Sequence, residues 1–200
     1  MRILIGSNNK KKLAELQGLL GEYGVELVTP AQMNIDVEPE ENGTTFEENS
    51  LIKASVFAKI SGIPCIADDS GLVVDALGGR PGVFSARYAG ENSSDDVKMD
   101  TLLGELEGVT DRSAAFVSVA TYCTPEGDAI SARGECKGVI LNEKRGCNGF
   151  GYDPLFYIPE AGKGFGEMTP EEKAAYSHRG RSLSLLKEKL RPILEGNKNA

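Results

Sequence analysis

Apolar positions along this chain recur at alternate residues in some stretches and at every third or fourth residue in others. The changes between the two periods mark its elements. Residues 2–6 form a short apolar run that reads as a first buried strand. From 10 to about 21, Leu13, Leu16, Leu19 and Leu20 gather on one helical face, and 25–28 alternate like a second strand. Residues 34–43 form an acidic loop containing Asp36, Glu38, Glu40, Glu41 and Gly43. A helix is predicted from Thr44 or Thr45, because Thr44-x-x-Glu47 and Thr45-x-x-Glu48 both fit a capping box, and Gly62 stops it after Ser61. Ile63-Pro64-Cys65-Ile66-Ala67 then reads as a buried strand that ends on Asp68-Asp69-Ser70-Gly71.

Residues 77–82 are turn-rich, and 94–106 read as a helix carrying Val97, Leu102, Leu103 and Leu106. Residues 114–123 and 129–141 read as strands joined by a hairpin at 124–128. A glycine-rich loop at 146–151 precedes Asp153-Pro154-Leu155-Phe156-Tyr157-Ile158. Thr169-Pro170-Glu171-Glu172 starts another helix, with proline at its first position. The last helix, about 181–194, carries Leu183, Leu186, Leu190 and Leu194. Strand–helix units beside adjacent antiparallel strands indicate a mixed α/β fold, and no linker interrupts the single domain over 1–200.

Composition narrows the classes. Two hundred residues, 40% of them hydrophobic, suffice for one substantial core. A net charge of −8 argues against broad binding to nucleic acid or to an anionic membrane, and leaves a locally basic site for a small anion possible. No stretch approaches the roughly 20 apolar residues of a membrane span. The opening residues are too short for a signal sequence, so a cytoplasmic setting is expected. Cys65, Cys123, Cys136 and Cys147 are scattered and His178 is the single histidine, which speaks against zinc and for reduced thiols.

Five clusters carry candidate chemistry. Ser7-Asn8-Asn9-Lys10-Lys11-Lys12 lies between the first strand and helix, where backbone N–H groups and ammonium groups attract anions. The same residues would also serve as a solvated cap. Lys53 sits about two turns into the capped helix, either exposed or bridging phosphate and acids. Glu41 and Asp69 supply the one or two carboxylates that a magnesium ion takes from protein when phosphate and water complete its shell; Asp68 stands behind them or caps the next turn. Gly149-Phe150-Gly151-Tyr152-Asp153-Pro154 offers aromatic faces for a base, or a structural turn. Lys173, His178 and Arg179 supply donors before the last helix.

Together, Ser7-x-Asn9-x-x-Lys12, Glu41-x-Gly43-x-Thr45-Phe46-x-Glu48-Asn49, Lys53-Ala54, Ala67-Asp68-Asp69-Ser70-Gly71-Leu72, Leu77-Gly78-Gly79-x-Pro81-Gly82, Ser85-Ala86-Arg87-Tyr88, Gly149-Phe150-Gly151-Tyr152-Asp153-Pro154 and Ser177-His178-Arg179-Gly180 resemble the inosine triphosphate pyrophosphatase family, Ham1-like hydrolases of non-canonical purine nucleoside triphosphates. The resemblance implies an elongated central mixed sheet flanked by helices, two lobes with a nucleotide cleft between them, a homodimer and dependence on Mg2+. It implies that Asp69 and Lys53 are catalytic and that Glu41 and Asp69 bind the metal. Ser7, Asn8, Asn9, Lys10, Lys11, Lys12 and Ser70 would hold the triphosphate; Phe150, Gly151, Tyr152, Asp153, Lys173, His178 and Arg179 would surround the base and sugar. The lysine run is richer than the pattern requires, so Lys12 is the firmest of its three contacts. Residues 134–138 lack an aromatic that some relatives carry.

The expected reaction is attack of water on the α-phosphorus of ITP, dITP or XTP, giving monophosphate and pyrophosphate and cleansing the nucleotide pool. Asp69 orients or deprotonates the water, with Asp153 as the alternative base. A nucleotide-binding regulator and a phosphatase releasing orthophosphate are the rival readings.

Overall fold

The computed structural model describes residues 1–198, with the side chains of Lys11, Asn197 and Lys198 outside the described set. Strand β1 (Arg2–Ile5), helix α1 (Lys10–Leu20) and strand β2 (Glu26–Val28) form a parallel β–α–β unit, with Arg2 opposite Glu26 and Leu4 opposite Val28. Helix α2 (Phe46–Ser61) follows the acidic loop. Strand β3 (Cys65–Val74) lies parallel to β1 on its other side, with Ile5 opposite Ile66. Helix α3 (Asp95–Glu105), strands β4 (Ser113–Cys123), β5 (Ala129–Ile140), β6 (Phe156–Ile158) and β7 (Lys163–Gly164), and helices α4 (Pro170–Ala174) and α5 (His178–Lys198) complete the chain. The seven strands are ordered β2-β1-β3-β4-β5-β6-β7; β5, β6 and β7 pair antiparallel, which makes the sheet mixed.

Local signals explain the boundaries. Thr45 caps α2: its hydroxyl accepts the Glu48 N–H while Glu48 reaches back to the Thr45 N–H, and Gly62 closes the helix in the left-handed region at φ 69°. Thr169 and Glu172 form the same box on α4, and Ser94 caps α3. Two boundaries and one buried face differ from the sequence reading. Strand β3 does not stop before the acids but runs through Asp68 and Asp69, because cationic side chains compensate the buried charge that the alternation pattern alone marked as a break. Helix α5 begins at His178, ahead of its apolar stripe. Val97 is 50% exposed, whereas Met99, Leu102 and Leu106 make the buried face of α3.

The chain forms two compact units. The first comprises residues 1–69, 118–134 and those from Arg179 onward. On one face of its strands, Ile3, Ile5 and Ile66 pack under Leu16 and Leu20 of α1 and Leu183, Leu186, Leu190 and Leu194 of α5. On the opposite face, Leu4, Cys65 and Ala67 pack under Ala54, Phe57 and Ala58 of α2. The alternation of strand side chains therefore sandwiches these strands between helices. The second unit, residues 70–117 and 135–178, has its own core, in which Leu72, Val74, Leu102, Phe116, Phe156 and Phe165 meet. Among the described residues no helix is long and apolar enough to cross a membrane.

Candidate active site

In the first unit, the carboxyl end of the parallel ladder gathers charge. Past Ile5, Gly6 donates its N–H to Ile66 at 2.8 Å and brings the chain against β3. A Cβ on Gly6 would stand 2.9 Å from that of Ala67 and 3.1 Å from the Phe57 ring, so only glycine permits this approach. The loop then turns into α1. The Asn9 N–H donates to Ser7 Oγ at 3.1 Å, and Asn9 Oδ1 accepts the Lys12 N–H at 3.4 Å. Asn8 Oδ1 accepts the Ala31 N–H at 3.0 Å.

Asp68 is the hub of the cluster. Its Oδ1 lies 2.7 Å from Lys12 Nζ, its Oδ2 3.2 Å from Arg179 Nε, and its backbone oxygen accepts from Lys53 Nζ at 3.1 Å. Lys53 also pairs with Glu41 at 2.9 Å. Three helices thus each contribute one cation to a single carboxylate and its peptide. Burial alone would lift the Asp68 carboxyl, but Lys12 and Arg179, helped by Lys53, outweigh it and hold it below the usual carboxylate range. Consecutive residues of a strand point to opposite faces. Asp68 shares the face of Ile66, under α1 and α5, and Asp69 shares the face of Cys65 and Ala67, under the α2 that carries Lys53. The two acids are therefore not a side-by-side repelling pair.

The acidic loop is fastened to α2 by Asn49, a buried residue whose Oδ1 accepts the Gly43 N–H at 2.8 Å. A Cβ on Gly43 would fall 2.7 Å from that oxygen. This anchor, two residues beyond Glu41, sets the carboxylate against Lys53.

The second unit presents an aromatic wall. Asp153 is buried, and its Oδ2 accepts the Phe150 N–H at 2.8 Å and the Lys173 ammonium at 2.5 Å. Burial lifts its carboxyl above the usual range despite that lysine. Gly149 has φ 82°, and a Cβ there would lie 2.0 Å from Asp153 Oδ2. Phe150 is 71% exposed, with Lys173 Nζ 4.9 Å from its ring centre and 5.0 Å from that of Phe165. His178 stacks on Phe116 with centroids 5.2 Å apart and planes 16° from parallel.

Several sequence expectations change. Tyr152 offers no stacking face: its ring is buried in the core of the second unit, and its hydroxyl donates to the Ser85 carbonyl at 2.9 Å. Arg179 joins Lys12 on Asp68. Lys12, Lys53, Glu41 and Arg179 are brought together around Asp68, and Phe150, Asp153 and Lys173 form a second group. Lys10 starts α1 and is exposed, the Lys11 side chain lies outside the described residues, and Ser70 and Gly151 follow their neighbours in β3 and the aromatic loop. Gly6, Asn49 and the hub role of Asp68 escaped sequence reasoning. A glycine directly after an apolar strand was the available signal for the first, and the six-residue step from Gly43 for the second.

Comparison with known proteins places the chain in a family. The chain matches the Ham1 family over residues 3–189. It is 50% identical over 191 residues to a dITP/XTP pyrophosphatase of Geobacter sulfurreducens, covering 94% of this chain and 96% of that one. It is 47% identical over 193 residues to a dITP/XTP pyrophosphatase of Desulfotalea psychrophila, covering 96% and 86%. The Ham1 protein of Staphylococcus aureus superposes with a TM-score of 0.91 at 39% identity, covering 96% of this chain and 100% of that one. A HAM1 protein of Coxiella burnetii gives 0.91 at 41% identity, with 96% and 99% covered. With its motifs, its sheet and its match over nearly the whole length all in agreement, this chain belongs to the Ham1 family.

Proposed function

We propose that this enzyme hydrolyses the non-canonical purine nucleoside triphosphates dITP, XTP and ITP to the monophosphate and pyrophosphate, keeping these bases out of nucleic acid. The observation that carries the reading is the gathering of Lys12, Lys53 and Arg179 on Asp68, one residue from Asp69, in a chain whose overall charge is −8. A soluble anion with several negative oxygens can exchange with Asp68 for these cations, and their pre-assembly reduces the reorganisation that binding requires.

In the proposed step a water oxygen forms a bond to the α-phosphorus while the bond from that phosphorus to the bridging oxygen of pyrophosphate breaks. Asp69 takes the water proton, and Lys12 and Lys53 stabilise the charge on the departing pyrophosphate. The Lys173 ammonium and the Phe150 N–H engage Asp153, which ties that carboxylate to the aromatic loop. Glu41 and Asp69 suit Mg2+, which takes few protein carboxylates and fills its shell from phosphate and water. Bound there, the ion would neutralise phosphate oxygens. Phe150 would stack on the base, and His178, its plane fixed by Phe116, would donate to a 6-oxo group. Adenine offers a 6-amino donor at that place, and a site built on such a hydrogen bond rejects the wrong partner by about 10⁴-fold. A homodimer rests on the family resemblance; a cytoplasmic setting fits four cysteines that form no disulfide among the described residues.

The test is a panel of XTP, dITP, ITP, GTP and ATP with magnesium, measuring pyrophosphate and orthophosphate separately. Pyrophosphate from the first three is expected. Orthophosphate as the primary product would make the protein a phosphatase, and binding without product would make it a regulator.

A further inference from the structure

The aromatic loop of the second unit is held from two sides, and one of its anchors stands outside every motif of the site. Phe150 lies between Gly149 and Gly151, both in the left-handed region at φ 82° and 61°. Such a loop, with a ring 71% exposed at its tip, has the backbone freedom to present that ring in many directions. Two consecutive N–H groups remove this freedom. The Phe150 N–H donates to Asp153 Oδ2 at 2.8 Å, and the Gly151 N–H donates to Asp95 Oδ2 at 2.7 Å, across 56 residues of sequence. Asp95 is itself fixed, because its other oxygen pairs with Lys98 Nζ at 2.7 Å and the Lys98 side chain is only 12% exposed. Hydrogen bonds to an ionised carboxylate are the strong class, and here both carboxylates grip the backbone on either side of one aromatic residue.

We propose that Asp95, held by Lys98, is a positioning residue for purine binding, which locks residues 149–151 so that the Phe150 ring stands ready to stack before substrate arrives. The proposal rests on the reading of Phe150 as the residue that meets the base. It assigns Asp95 no contact with substrate; its effect is to lower the ordering cost of the stack.

The test is a double-mutant cycle of Asp95→Ala and Phe150→Ala, measuring XTP turnover by pyrophosphate release. Asp95→Ala is expected to raise KM about fivefold to tenfold, a fraction of what a base–aromatic stack contributes, while kcat falls less than twofold. Added to Phe150→Ala, it is expected to raise KM by less than twofold further. The full increase persisting without the ring would overturn the proposal and mark Asp95 as a helix-start residue only. Asp95→Asn keeps an acceptor for the Gly151 N–H and is expected to stay within threefold of the unsubstituted enzyme; a loss equal to that of alanine would also overturn it. Amide hydrogen exchange at Gly151 in the free protein tests the lock apart from the chemistry. Faster exchange in Asp95→Ala supports it and unchanged exchange refutes it, even if the unsubstituted chain releases no pyrophosphate and the proposed activity falls.

Discussion

At the scale of single residues, the pleat of one strand divides labour between neighbouring carboxylates. Asp68, turned toward α1 and α5, holds Lys12 and Arg179, while Asp69 faces the side covered by α2 and Lys53. Asp69→Asn is expected to lower turnover by about 10²–10⁴-fold, the range of a lost acid–base group, with the melting temperature unchanged; a variant that keeps most of its pyrophosphate release would remove Asp69 from the centre of the reaction. Asp68→Asn leaves two cations facing a neutral amide. The cost is expected near 2 kcal/mol, below the 3–5 kcal/mol of a fully buried pair, because the lysine and arginine keep part of their surface in water. Denaturant unfolding measures it, and the nucleotide KM should rise with it. The hub role was not legible in the sequence, since its partners stand 56 and 111 residues away.

At the scale of elements, capping and close approach decide where the site residues fall. The Thr45–Glu48 box is one of the two that spacing allowed, and it fixes the register of α2, and with it Lys53 and Asn49. Thr45→Ala is expected to cost about 1 kcal/mol of stability, as for other caps. The Thr44 N–H and hydroxyl, with Thr45, hold the Glu48 carboxyl below its ordinary value. A depressed carboxyl contributes stability that is fully present above its unfolded pKa and is lost as pH falls through the folded one. Glu48→Gln should therefore flatten the loss of stability below about pH 4.3, the ordinary glutamate value, in melts taken from pH 6 to pH 3. Gly6 acts by absence. Gly6→Ala forces a methyl group against Ala67 and Phe57, at an expected cost of about 1–3 kcal/mol for overpacking, and moves the loop that carries Lys12. Equilibrium unfolding and KM measured together separate the two effects.

At the scale of the whole molecule, each compact unit has its own apolar core, and the candidate residues form one polar group in each. Leu186, on the buried face of α5, is 1% exposed, so Leu186→Ala is expected to cost about 2–5 kcal/mol in denaturant unfolding while leaving KM near that of the parent. Apolar period, capping boxes, punctuating glycines and the ordered motifs determined from sequence the mixed α/β class, the edges of α2, β4 and β5, the start of α4, and the family. Each of these signals acts within a few residues, where backbone hydrogen bonding and side-chain spacing are local. Only the tertiary structure decided that Asp68 gathers Lys12 and Arg179, that Tyr152 belongs to the core while Phe150 faces solvent, and that Asp95 reaches the aromatic loop. Those choices depend on which distant segments the packed strands and helices bring within hydrogen-bond range, and local periodicity carries no record of that.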